Sequence, residues 1–192
     1  LFGRVNYDYA GRYLLEGTLR YDGSSRLAPG NRWSLFPSVS GGWRVSEEPF
    51  FKVPVISNLK LRASWGQLGN STALNSMYYP YIGTISSGQI MSNPIYYQGN
   101  MVSNDVTWET VTSTNVGVDL GLFKNRLTFT GDYYWKTNDD MLARVRVGNI
   151  VGYKAENLAY QNAGILKTWG WEVSLQWRDK IHESLCLAYG FG

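Results

Sequence analysis

Between Tyr13 and Asp22 the chain alternates without a break: Tyr13, Leu15, Gly17, Leu19 and Tyr21 fall on one parity, and Leu14, Glu16, Thr18, Arg20 and Asp22 on the other. A period of two is the signature of a strand with one apolar face, whereas a helix would scatter the apolar set around its axis. The pattern recurs along the chain. Val5, Tyr7 and Tyr9 oppose Arg4, Asn6 and Asp8, and Leu35, Val39, Gly41, Trp43 and Val45 oppose Ser38, Ser40, Gly42 and Arg44, with Pro37 weakening that strand locally. Leu59, Leu61, Ala63 and Trp65 alternate with Lys60, Arg62, Ser64 and Gly66, and Thr114, Val116, Val118, Leu120 and Leu122 with Asn115, Gly117, Asp119 and Gly121. Leu127, Phe129, Gly131, Tyr133 and Trp135 then oppose Arg126, Thr128, Thr130, Asp132 and Lys136. Trp169, Trp171, Val173, Leu175 and Trp177 oppose Thr168, Gly170, Glu172, Ser174, Gln176 and Arg178, and Leu185, Leu187, Tyr189 and Phe191 begin one more strand.

The connections sort by length. Ala10-Gly11, the segment Ser46 to Asn58 (with a helical turn expected at Ser46-Glu47-Glu48), Lys124-Asn125 and the polar turn Asp179 to Glu183 are the shorter set. They alternate with connections from Gly23 to Arg32, from Asn70 to about Trp108 and from about Thr137 to Gly164, expected as the longer set although Gly23 to Arg32 is itself no longer than Ser46 to Asn58. In an up-and-down sheet alternate connections share an end, so one rim is short-looped and the other long-looped. Outer-membrane barrels have that asymmetry, and a soluble sandwich has no reason for it.

Composition narrows the class further. Aromatic residues make up 15% of the chain and charged residues 17%, against roughly 25% charged in an average soluble domain. A mean hydropathy of -0.26 is compatible with a membrane barrel, whose strands show lipid only at every second residue. Among the 21 glycines, Gly17, Gly41, Gly42, Gly66, Gly117, Gly131 and Gly170 fall inside apparent strands, which disfavours helices there. A formal charge of +3 with scattered Lys and Arg excludes nucleic acid as the expected partner. The single cysteine, Cys186, excludes an internal disulfide. No apolar run is long enough for a transmembrane helix, and the N-terminus lacks the basic-then-apolar layout of a signal peptide, so an exported chain that starts like this is expected to be a piece of a longer protein.

Linked motifs point to a family. They are Asp22-Gly23-Ser24-Ser25-Arg26, Asn31-Arg32-Trp33, Phe36-Pro37-Ser38-Val39-Ser40, Gly42-Trp43-Arg44, Ser46-Glu47-Glu48, Ile56 to Gly66, and Gly69-Asn70. Trp108-Glu109, Asn115 to Leu120, Phe123 to Leu127, Asp132-Tyr133-Tyr134 and Gly170-Trp171-Glu172 follow in order. Together they resemble the SusC/RagA-type TonB-dependent transporters of the Bacteroidota over most of the chain. The resemblance implies an all-β, antiparallel, up-and-down transmembrane barrel section, with residues 1–192 supplying about eight strands of a 22-stranded barrel, a class that carries a plugged lumen. It also implies an outer-membrane location, a SusD-like surface lipoprotein as partner, and TonB-driven import of glycans or peptides. The family's plug, TonB box and terminal strand ending in Phe are not seen in this sequence, so TonB is expected to act through sequence outside it.

The aromatic residues are the leading candidate site residues. Tyr7, Tyr9, Tyr13, Tyr21, Trp43, Trp65, Tyr133, Trp135, Trp169, Trp171 and Trp177 share parity with the apolar set, which assigns them to the lipid-facing side and its interfacial belts. Tyr78, Tyr79, Tyr81, Tyr96 and Tyr97 lie in a long connection, where they are candidates for contact with substrate or partner. Arg20, Arg44, Lys60, Arg62, Asp119, Asp132, Glu172 and Arg178 are expected to face the lumen, where a charge is far cheaper than against lipid.

No catalytic residue, metal or cofactor is expected. Glu47-Glu48 and Asp139-Asp140 are adjacent pairs that point apart on extended chain and read as a solvated rim, His182 is the only histidine, and Cys186 reads as a wall residue. Asp22-Gly23-Ser24-Ser25 reads as a turn rather than a calcium loop. Two other readings compete with the transporter: a small closed eight-stranded barrel acting as anchor or adhesin, and a soluble carbohydrate-binding β-sandwich. An enzyme such as a glycosidase ranks last.

Overall fold

The computed structural model describes residues 1–70, 79–144, 158–182 and 185–191, with backbone alone for most residues from Lys180 onward. Ten strands follow in chain order: β1 (Phe2–Tyr9), β2 (Tyr13–Gly23), β3 (Trp33–Arg44), β4 (Ile56–Asn70), β5 (Ile85–Ile90), β6 (Asn93–Gln98), β7 (Glu109–Leu122), β8 (Leu127–Arg144), β9 (Tyr160–His182) and β10 (Leu185–Phe191). Eight of them form one antiparallel sheet in the order β1-β2-β3-β4-β7-β8-β9-β10, and β5 and β6 form a separate hairpin. Every ladder in the large sheet joins strands that follow one another in the chain once that hairpin is set aside. β1 and β10 are its two edges and do not pair with each other, so these eight strands are an open wall and not a small closed barrel.

The turns use the chemistry their tightness requires. Ala10 and Gly11 both have positive φ (54° and 67°), and the Arg12 N–H donates to the Tyr9 carbonyl at 3.0 Å. Lys124 and Asn125 repeat this with φ of 59° and 61°. Turns of this hand match the right-handed twist of the strands they join. The expected helical turn is a single 3-10 turn over Val45–Glu47, which takes Val45 out of β3 and buries it.

Three expectations about the connections need correction. The segment from Asn70 to Trp108 is not all loop, because β5 and β6 pair within it. The second long connection is shorter than the Thr137 to Gly164 estimate: β8 continues to Arg144 and β9 starts at Tyr160, past a bulge at Asn138 to Leu142 where Asp140 has a φ of 57°. The polar run from Asp179 is also strand, since β9 extends to His182 while Glu183 lies outside the described residues. Charged residues hide these extensions, because they break the apolar parity that marks the other strands. Pro37 has its own consequence: the β3–β4 ladder begins only at Ser38.

Register places the short turns progressively lower across the sheet. Trp43, Leu61, Val118, Gly131 and Val173 form one continuous row. The β1–β2 turn sits at that row, the β7–β8 turn lies four residues beyond it at Leu122 and Leu127, and β9 runs nine residues beyond it to His182. Such a drift is what a wall of tilted, sheared strands produces.

One sheet without a second layer leaves both faces open. The chain exposes 13492 Å², whereas a compact soluble chain of 21.7 kDa exposes about 9,200 Å². Among the described residues no second sheet covers the first, which removes the sandwich reading. The excess is largely apolar: Leu15, Leu19, Leu35, Val39, Trp65, Tyr133, Leu175 and many like them are exposed. Among the described residues no helix is long and apolar enough to cross a membrane, a fact silent about strands.

Candidate functional site

The apolar face carries its aromatic side chains in two bands. On β2, Tyr13 and Tyr21 are eight residues apart, about 27 Å along the strand, or about 21 Å in height at a tilt near 40°. Tyr13 stacks on Trp43 (centroids 6.3 Å, 10° between planes), and Tyr21 stacks on Trp33 at 5.1 Å and 14°. Gly23 makes room for the second stack, since a Cβ there would meet the Trp33 ring at 2.6 Å. The same eight-residue interval returns on β8 and β9, from the Leu127/Trp177 pair to the Trp135/Trp169 pair. Trp65 connects to Trp135 through Thr114, which pairs with both. Tyr133 packs on Trp135 at 5.3 Å and pairs with Trp171, which is 73% exposed. Tyr7 and Tyr9 are exposed on this side as well, and Tyr9 lies 6.3 Å from Tyr13.

The opposite face gathers most of the expected charges. Arg44, Lys60 and Asp119 share one row, and Arg62, Gly117, Asp132 and Glu172 share the next. Arg62 is the hinge between them: Nε lies 3.0 Å from Asp119 Oδ2, and Nη2 donates to Asp132 Oδ2 at 2.9 Å, two strands away. Gly117 makes that reach feasible, because a Cβ there would crowd the Asp132 carboxylate and come within 3.0 Å of the guanidinium. Three cations and three anions thus balance within two rows. Arg20 stands apart, paired with Asp22 at 2.6 Å on its own strand, and Arg178 lies near the end of β9. A groove of about 600 Å³ runs along this face from Asn6 and Glu16 past Ser40 to Lys60, Arg62 and Asn115. The groove draws its lining from five strands, β1 to β4 and β7.

At the long-loop rim the polarity reverses. Leu27, Val106 and Tyr160 form a small buried core, with Trp108 and Leu142 packed against it. Phe36 meets Trp108 edge-on at 5.7 Å, and the Arg144 guanidinium lies over the Tyr160 ring at 5.0 Å. Side-chain bonds tie separate loops across this core. Asn31 Nδ2 donates to the Val106 carbonyl at 3.2 Å, and Trp108 Nε1 donates to the Arg32 carbonyl at 3.1 Å. Asn162 both accepts from the Thr107 N–H at 2.9 Å and donates to the Thr107 and Asp140 carbonyls. The motif residues Asn31, Arg32 and Trp108 are therefore clasps between loops.

The loop tyrosines divide. Arg32 Nη2 donates to the Tyr81 hydroxyl at 3.3 Å, and Tyr79, with a φ of 57°, meets Tyr81 edge-on at 6.1 Å. Tyr96 and Tyr97 are adjacent on β6 and therefore show opposite faces of the hairpin. Tyr78 lies outside the described residues. Sequence reasoning missed the hairpin, although a signal was present: no Asp, Glu, Lys, Arg or His occurs from Ala63 to Asn104.

At the short-loop rim Glu48 was read as solvated, and the structure corrects this: it is only 8% exposed. It accepts from Trp43 Nε1 at 3.0 Å and pairs with Arg12 Nη1 at 3.4 Å. Hydrogen bonds from the Tyr13 hydroxyl first and from Trp43 next hold its carboxyl below the ordinary value, with help from Arg12 and against the opposing pull of burial. Its neighbour Glu47 lines a separate groove on the polar face with Arg44 and Lys60. Among the described residues no group of three His, Cys, Asp or Glu could hold a metal. The side chains of His182 and Cys186 lie outside the described residues.

Comparison with known proteins agrees with this architecture. The family model for the TonB dependent receptor-like beta-barrel matches residues 1–192. The chain is 37% identical over 180 residues to the TonB-dependent receptor SusC of Bacteroides thetaiotaomicron, covering 91% of this chain and 18% of that protein. It is 36% identical over 183 residues to the TonB-dependent receptor P39 of Formosa agariphila, covering 91% of this chain and 16% of that protein. Among solved structures, the RagAB peptide importer in its closed-closed state superposes with a TM-score of 0.82 at 28% identity, over 95% of this chain and 20% of the matched one. The chain thus spans about a fifth of the length of these relatives. They are receptors and importers, which sets the glycosidase alternative aside. With an open antiparallel wall, an apolar outer face and a family match along its whole length, the chain belongs to the TonB-dependent receptor-like β-barrel family of the bacterial outer membrane, in its SusC/RagA branch.

Proposed function

We propose that this chain is the wall and long-loop rim of an importer that carries glycans or peptides across the outer membrane, powered by TonB and working with a SusD-like surface lipoprotein. The observation that carries the reading is the inverted polarity of the sheet: leucines, valines and aromatics are bare on one face, and the charges collect on the other. In this reading the bands at Tyr13/Trp43 with Trp177, and at Tyr21/Trp33 with Trp135 and Trp169, sit at the two lipid–water interfaces, and Trp65, paired with Val39, lies between them. Tyr7, Tyr9, Tyr133 and Trp171 complete the lipid-facing set. The polar face lines the lumen, where the balanced Arg62 cluster offers fixed charges to a plug without drawing in either ion strongly. The clasped loops with Tyr79, Tyr81, Tyr96 and Tyr97 face the outside, where partner and cargo arrive.

Uptake decides the matter. The full-length protein and its lipoprotein partner, restored to a strain lacking both, should permit accumulation of a labelled neutral oligosaccharide or a labelled peptide pool, and a TonB deletion should abolish it. If neither accumulates above the strain lacking them, or if accumulation ignores TonB, the proposal fails.

A further inference from the structure

The hairpin β5–β6 is bare along one face and one edge, while Ser86, Gly88 and Ile95 on its other face are half-buried. On one face Ile85 and Tyr96 are 81% and 76% exposed, and Met91 at the tip is 93% exposed. Its base is fixed: Asn100 Oδ1 accepts from the Thr84 N–H at 2.8 Å, Asn100 Nδ2 donates to the Ile82 carbonyl at 3.1 Å, and Pro80 beneath is fully buried. The Gly99 N–H donates to the Thr84 carbonyl at 2.8 Å, which makes Thr84 and Gly99 a hydrogen-bonded pair. Alternation along an antiparallel ladder then turns the backbone N–H and C=O groups of Ile85, Ser87 and Gln89 away from β6. Along β6 the outward positions are Pro94, Tyr96 and Gln98. The two edges differ, because proline has no N–H and is one of the devices that block an edge.

The β5 edge has no such guard. Ile85, Ser87 and Gln89 are all exposed, no described residue pairs with them, and the surrounding sequence offers no lysine or other charge. We propose that β5 is a docking strand on which an extended, uncharged oligopeptide cargo adds as a third strand. This rests on the importer reading and selects peptide from its two cargo classes. Backbone pairing reads N–H and C=O groups instead of side chains, so one edge serves many cargo sequences. Three outward residues give few bonds, which suits capture followed by release. A stable protein partner needs about 1,000 Å² or more of buried surface, beyond the reach of so short an edge. Oligosaccharides lack the alternating donors and acceptors that such an edge reads.

The test uses the full-length transporter with its lipoprotein partner in lipid nanodiscs. Amide hydrogen exchange is followed at Ile85, Ser87 and Gln89 with a saturating neutral hexapeptide of alternating threonine and valine, and separately with a neutral hexasaccharide. The expected result is slowed exchange at these amides with the peptide alone. Ser87→Pro, which removes an outward N–H and leaves the inner ladder intact, should weaken peptide binding about tenfold or more. Unchanged exchange with peptide bound, no peptide binding at all, or equal protection by the saccharide overturns the proposal. Protection that appears on adding the lipoprotein without peptide overturns it too, in favour of a protein occupant. None of these outcomes touches the uptake experiment, whose failure would remove the importer reading itself.

Discussion

The sheet and the long-loop rim follow opposite rules within one chain. On the wall, Val39, Leu15 and Trp171 are left bare and Arg62, Asp119 and Asp132 are partly enclosed; at the rim, Leu27 and Val106 are buried to 1% and 2% exposure. The difference is one of solvent. Where water is the surroundings, apolar groups turn inward and make a core, however small. Where lipid is the surroundings, apolar groups need no cover and the cost falls on charges. The boundary is visible in the Tyr21/Trp33 stack, above which Phe36 and Trp108 turn toward the buried cluster.

Substitutions on adjacent residues of β3 test this contrast most strongly. Val39 pairs with Gly17, midway between the Tyr13 and Tyr21 bands. In urea titrations of the full-length barrel refolded into vesicles, Val39→Arg should cost about 2–4 kcal/mol. Ser40→Arg, on the polar face opposite Glu16, should cost less than about 0.5 kcal/mol. Equal costs would break the assignment of the two faces. At the rim, Leu27→Ala should cost about 2 kcal/mol through the cavity it leaves. That loss should appear as faster exchange and proteolysis of residues 24–32 and 99–108, with the barrel's resistance to unfolding in detergent unchanged. A matching loss of barrel stability would show that rim and wall are one cooperative unit.

Two smaller effects sharpen the picture. Arg62→Ala strands the Asp119 and Asp132 carboxylates with Glu172 directly opposite one of them. Because the cluster is partly solvated, about 1–2 kcal/mol of wall stability is expected to go, and Asp132→Asn in the same background should recover part of it. Glu48 adds a pH dependence confined to the short-loop rim. Its carboxyl is held below the ordinary 4.5, so its contribution is fully present above that value and is lost as pH falls through the lowered one. Exchange of residues 45–56 should therefore quicken on acidification below about pH 4.5, and Glu48→Gln should flatten that response.

The strands of the wall were legible because lipid enforces parity: Tyr13 to Tyr21 and Leu127 to Trp135 declare a face with every second residue. The sorting of loops was legible only in part, since the β3–β4 connection, residues 45–55, is longer than the β2–β3 connection, residues 24–32, which shares the other rim with the long loops. The extensions of β8 and β9 were not, because Asp139, Asp140 and Lys167 interrupt the apolar parity in those segments. The ion cluster was half legible. Parity put Arg62 and Asp132 on one face, but their contact depends on Gly117 lying between them in register, which a single strand's sequence does not reveal. Glu48 misled because its three donors come from β2, β3 and the β1–β2 turn, all distant along the chain or hidden by the turn geometry. The hairpin was missed because its exposed Ile and Tyr residues show no single apolar parity.

The clasps among Asn31, Arg32, Trp108 and Asn162 have an implication for how such a surface can diversify. A loop held by its neighbours' side chains is not an independent cassette: replacing residues 79–108 alone would take the Trp108 indole from the Arg32 carbonyl and the Tyr81 hydroxyl from the Arg32 guanidinium. Chimeras that exchange all three loops together, with their four clasping residues, should therefore assemble where single-loop grafts do not.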